Sequence, residues 1–104
     1  MTGYVDRLRT VVEASDRLII MAVPFIELFK PKYEPEILDV LASELLLLKE
    51  TVEKAKIRLE GTVSQTQCET VTEFLLGTMQ AIVSRLLSGE SGQISVGLGI
   101  ADVL

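Results

Sequence analysis

The sequence predicts an all-α fold: an antiparallel bundle of three long helices, completed by oligomerisation and followed by an extended C-terminal tail. Three observations carry that expectation. Leu38, Leu41, Leu45, Leu48, Val52, Ala55 and Leu59 follow one another at alternating steps of three and four, the seam spacing of a coiled coil or long bundle helix. Apolar residues recur at helical period both before and after that stretch. Punctuation falls between the three, with Pro31 and Pro35 on one side and Gly61 on the other. The helices are expected at about residues 3–30, 35–60 and 64–88, within one helical domain over residues 1–90. Residues 91–104 form the tail.

The first helix opens at Thr2 or Gly3. Val5, Leu8, Val12, Ile19 and Ala22 form its apolar stripe, with Ser15 as a polar interruption, while Asp6, Arg7, Arg9, Glu13, Asp16 and Arg17 cover the other side. Residues 18–23 are apolar all round, which predicts burial on most sides. Pro24 lacks an N–H and crowds the preceding turn, so the helix is expected to kink or break there.

Pro35 suits the first position of the central helix, where its missing N–H matters least. Glu34, Glu36 and Asp39 place negative charge at the positive end of the helix dipole. Ile37, Val40, Leu46 and Leu47 lie off the seam, and one partner helix cannot cover them all. From Lys49 to Glu60 the outer face is charged. Lys56 and Arg58 then suit the last turn, and Gly61 is read as a left-handed terminator.

The third helix starts near Ser64 or Thr66, with Thr66-Gln67-Cys68-Glu69 matching the capping box. Its stripe is Val71, Leu75, Met79, Ile82 and Leu86, widened by Phe74, Val83 and Leu87. Gly77 inside it is read as a point of close helix–helix approach. In the tail, Ile94, Val96, Leu98 and Ile100 alternate with small residues. That period suggests an extended strand, weakened by its glycines. Such a segment is suited to lie along a groove of the bundle, to pair with another copy, or to fray as a chain terminus.

Composition narrows the function. The chain has 104 residues, 48% of them hydrophobic and only 5% aromatic, with a mean hydropathy of +0.39. A small domain has much surface for its volume, so surplus apolar residues point to a subunit interface. Its expected members are Ile37, Val40, Leu46, Leu47, Ile94, Val96, Leu98 and Ile100. The net charge of −5 argues against nucleic acid, whose binding rests on cationic phosphate contacts. No run reaches the roughly 18 apolar residues of a membrane span. The single Cys68 has no disulfide partner in the chain and is read as a small buried hydrophobe. With no signal-peptide pattern, a cytoplasmic location is expected. The chain also lacks Asn, a depletion that thermophilic proteins show.

Chemistry is constrained by the absence of His. Zinc clusters, di-iron Glu-x-x-His bundles and Ser–His–Asp triads all need it. Gly97-Leu98-Gly99 is too short for a phosphate loop. Glu27 and Glu44, which lie near apolar stretches, are read as helix-surface or partner-facing charges. The sequence therefore names no catalytic residue, no cofactor site and no metal ligand. Leu8-Arg9 followed by Asp16, Ile19 and Ile20 resembles the first-helix pattern of the all-helical chorismate mutases. The resemblance spans about the first twenty residues and implies a dimeric three-helix enzyme that clamps a dianion with several cations. Ile26 stands where a second arginine of that pattern falls, which leaves Arg9 and the pair Lys30/Lys32. The leading expectation is a non-enzymatic, self-associating structural or adaptor bundle. Behind it stands a small regulator that binds another protein through an apolar groove, and then an enzyme of chorismate-mutase-like architecture.

Overall fold

The computed structural model describes residues 3–88. Three helices, each packed on the other two, account for nearly all of them: α1 (Gly3–Phe29), α2 (Pro35–Leu59) and α3 (Gln65–Ser88). Cross-helix contacts fix the directions. Asp16 meets Lys56, whereas Val23 and Ile26 face Leu38 and Leu45, so α1 and α2 are antiparallel. Arg7 meets Glu73, and Ser15 meets Met79, so α1 and α3 run parallel. This is an up-down-up bundle, as the periodicity predicts.

In α1 the buried positions are Leu8, Val11, Val12, Ala14, Ser15, Leu18, Ala22 and Phe25. Ser15 is part of the stripe, not a break in it. Its Oγ donates to the Val11 carbonyl at 2.8 Å and touches Met79 Sδ at 3.4 Å. A hydroxyl that bonds its own preceding turn needs no water, so it enters the core at little cost. The expectation that residues 18–23 are buried on most sides fails within the protomer. Leu18 and Ala22 face inward, while Ile20 is 73% exposed. Two neighbouring helices cover only part of the circumference of α1.

No second helix begins at Pro24, because α1 runs through it unbroken to Phe29. The proline frees the carbonyl of Ile20, four residues earlier. Both residues are exposed, so water can take up the freed acceptor.

A 3-10 turn, Lys30–Lys32, follows, and then Tyr33 in extended backbone. Tyr33 is only 6% exposed. Its hydroxyl donates to the Leu86 carbonyl at 2.6 Å. Leu86 lies in the last turn of α3, whose carbonyls have no donor from within the helix. The tyrosine therefore closes that helix end and ties it to the α1–α2 connection. Pro35 holds the first position of α2, with Glu34 extended before it, the backbone that a residue preceding proline prefers.

On α2 the whole predicted seam turns inward. Leu41, Leu48, Val52 and Ala55 are buried, and Leu38, Leu45 and Leu59 are half-buried. Gly61 does not adopt the left-handed backbone expected of it. The helix instead tightens: Glu60 N–H bonds the Ile57 carbonyl and Gly61 N–H the Arg58 carbonyl, at 3.2 and 3.1 Å. Bonds of that three-residue reach satisfy the final carbonyls without a glycine cap.

The cap of α3 lies two residues earlier than Thr66, at Ser64. Ser64 Oγ accepts from Gln67 N–H at 3.1 Å, and Gln67 Oε1 faces Ser64 N–H at 3.5 Å. This is the reciprocal box with Gln in place of Glu. The inward stripe is Cys68, Thr72, Leu75, Met79, Ile82 and Leu86, with Val83. Val71 is half-buried and Phe74 exposed. Cys68 is fully buried, as expected. Gly77 is not a close approach: a Cβ placed there meets nothing within 4 Å. Among the described residues, no buried side-chain nitrogen or oxygen lacks a partner.

Candidate functional surface

Polar pairs first define which faces are closed. Between α2 and α3, Glu44 accepts from Arg85, whose guanidinium also reaches the Ala81 carbonyl. Glu44 is thus an internal strut and not a charge facing outward. Between α1 and α2, Lys56 Nζ lies 2.9 Å from Asp16 Oδ2 and 3.8 Å from Glu53. The hydrogen bond to Asp16 raises the lysine pKa. Arg7–Glu73 and Arg9–Asp6 are looser, at 3.9 Å each, and exposed. These pairs set register and leave large apolar side chains elsewhere uncovered.

The uncovered residues are unevenly placed. Among the described residues, Ile20, Val23 and Leu28 lie in the second half of α1, and Val40, Leu46 and Leu47 in α2 up to its midpoint. Ile57 and Phe74 are the other large apolar side chains left exposed. The concentration is at the end of the bundle where the α1–α2 connection and the last turn of α3 meet.

Each expected interface residue has a definite place. Ile37 is half-buried against the core. Val40 and Leu47, seven apart, share one flank of α2, on the side of Glu44 and α3. Leu46 is about 100° further round the helix and is 57% exposed. Residues Ile94, Val96, Leu98 and Ile100 lie outside the described residues. Sequence reasoning missed Ile20, Val23, Leu28 and Phe74 as surface residues. A signal was available for the first two, since an all-round apolar run beside only two neighbours must leave one side open.

Between α1 and α2 an open groove of about 320 Å³ is lined by Val23, Ile26, Leu38, Ala42 and Leu45, with Glu27 and Lys30 at its rim. A second hollow, also about 320 Å³, lies between α2 and α3. Lys54, Arg58, Thr66, Gln67 and Thr70 line it.

The cations that the mutase-like pattern would need do not converge within one chain. Arg9 lines a shallow hollow with Glu13, Lys56 and Glu60, a set of mixed sign. Lys30 is 21 residues further along, about 31 Å at the helical rise. Among the described residues, no three His, Cys, Asp or Glu side chains are gathered as metal ligands would be. No described helix is long and apolar enough to cross a membrane. Comparison with protein families, curated proteins and solved structures finds no match to this chain.

Proposed function

We propose that this chain is a non-enzymatic, self-associating helical bundle that serves as a structural or adaptor component. The observation that carries the reading is the outward position of Val40, Leu46 and Leu47 on a helix whose full seam is already used within the protomer. Water-exposed leucines gain about 25 cal/mol for each Å² they bury. A second copy offers the same surface in return, as a two-fold interface requires. Two α2–α3 hairpins brought together along the Val40–Leu47 flank would form a four-helix core, with Phe74 at its edge.

Light scattering coupled to size exclusion tests this. The chain mass is 11.4 kDa, and a multiple of it is expected at micromolar concentration. The double variant Val40→Asp/Leu47→Asp should elute at the single-chain mass while keeping its helical circular dichroism. A wild-type chain that stays monomeric throughout that range removes the reading.

A second reading, a regulator that binds another protein, is favoured by the joint exposure of Leu46 and Leu47, about 100° apart on the outer side of α2. It predicts a monomer whose patch closes only when the partner is added.

A further inference from the structure

We propose that the hollow between α2 and α3 binds a small phosphate monoester with a compact apolar body. Lys54 and Arg58 reach it from α2, and Thr66, Gln67 and Thr70 from the first turns of α3. Ala55 and Val71 form an apolar floor. Among the described residues no carboxylate lines this hollow, although the chain has fifteen acidic residues against ten basic ones. Arg7, Arg9, Lys56 and Arg85 each meet a carboxylate. Lys54 and Arg58 meet none among the described residues, even though Glu50 stands one turn before Lys54. Like charges four residues apart repel within a helix. An anion seated between the two cations relieves a cost that the chain alone leaves standing.

The α3 side supplies matching donors. Thr51 and Thr78 turn their hydroxyls onto carbonyls of their own helices. Those of Thr66 and Thr70 make no such bond among the described residues. Gln67 gives its oxygen to the cap, facing Ser64 N–H, which leaves its amide nitrogen as a donor. The N–H groups of Gln65 and Thr66 have no acceptor within the helix, and the positive end of the α3 dipole adds to the same sign. A phosphate monoester carries a charge of roughly −1.5 to −2 at neutral pH and three acceptor oxygens. Arg58 can take two of those oxygens side by side, and Lys54 the third as a point charge. A carboxylate, with one charge, leaves one cation unmatched. At about 320 Å³ the hollow is at the lower end of small-ligand sites, so the body attached to the phosphate is small. The inference does not rest on self-association.

The test is an NMR titration of the isotope-labelled full-length chain with phenyl phosphate, inorganic phosphate and benzoate in turn, at neutral pH and fixed ionic strength. Saturable shifts of the Lys54, Arg58, Thr66, Gln67 and Thr70 amides are expected with phenyl phosphate, and several-fold weaker binding of the other two. The double variant Lys54→Gln/Arg58→Gln, at exposed positions, should keep its helical circular dichroism. It should bind phenyl phosphate about tenfold more weakly, through the loss of charge-assisted contacts. Lys49→Gln removes a charge about 140° away around α2 and should leave the affinity unchanged. Shifts that grow without saturating, or equal weakening by Lys49→Gln, would show a diffuse attraction to the surface and overturn the proposal. Benzoate binding as tightly as phenyl phosphate would overturn the choice of phosphate. Inorganic phosphate binding as tightly would overturn the apolar body.

Discussion

Replacing Tyr33 by Phe removes one oxygen and leaves the ring in place. That oxygen is the hydroxyl that donates to the Leu86 carbonyl at 2.6 Å. Leu86 is itself buried and sits in the last described turn of α3, so among the described residues no helical N–H replaces the lost donor. A net hydrogen bond contributes about 1 kcal/mol, and a carbonyl left dry raises the loss toward about 3 kcal/mol. With a urea slope of about 1–2 kcal/mol per M, the midpoint should fall by roughly 0.5–3 M, read by far-UV circular dichroism. A pH signature accompanies the shift. Burial holds the Tyr33 phenol above its ordinary value of 10.0. The folded state thus favours the neutral form. Its contribution is fully present below pH 10 and is lost as pH rises through the higher folded value. The gap between wild type and Tyr33→Phe should therefore be constant near neutrality and narrow at alkaline pH. Coincident urea curves at neutral pH, or a gap that ignores alkaline titration, would refute the account of Tyr33 as the clasp on α3.

Five further substitutions separate alternatives drawn above. Ser64→Ala should lower stability by about 1 kcal/mol, whereas Thr66→Ala should change little; the reverse order in thermal unfolding would restore the later cap. Gly77→Ala should stabilise the chain by about 0.5–1 kcal/mol, because the site is open and helical, and a loss would mean that something covers that face. Leu48→Ala, at a fully buried seam position, should destabilise by about 3 kcal/mol. Leu46→Ala should leave unfolding of the isolated protomer within about 0.5 kcal/mol and act on association instead.

The architecture was legible because period and punctuation agree. The Leu38-to-Leu59 seam and the proline pair at 31 and 35 define α2 without reference to anything distant. What escaped the sequence depends on partners far along the chain. Tyr33 reads as part of a loop until α3 arrives with an unpaired carbonyl 53 residues later. Ser15 reads as a flaw in a stripe because its partner is its own backbone, which composition does not show. Ser64-Gln65-Thr66-Gln67 fits the cap pattern as well as its neighbour does, and only the observed register of α3 chooses between them. Gly61 and Gly77 were assigned jobs that glycine often does, but neither backbone needs it. At the candidate surface, Val40, Leu46 and Leu47 were identifiable as surplus to the seam. For Ile20 and Val23 the all-round apolar run signals that one side stays open, but it does not reveal which side its neighbours occupy.

Cys68 gives the protein a built-in reporter. Its sulfur is the one thiol in the chain and is sealed on the inner face of α3. A thiol reagent can reach it only when α3 lifts away from its neighbours. The rate of alkylation under native conditions therefore measures how often that opening occurs, and when opening and closing are fast it yields the opening free energy directly. Any change that loosens the α3 helix, at Tyr33 or at Ser64, should register as faster capture of this sulfur well before the helical signal falls.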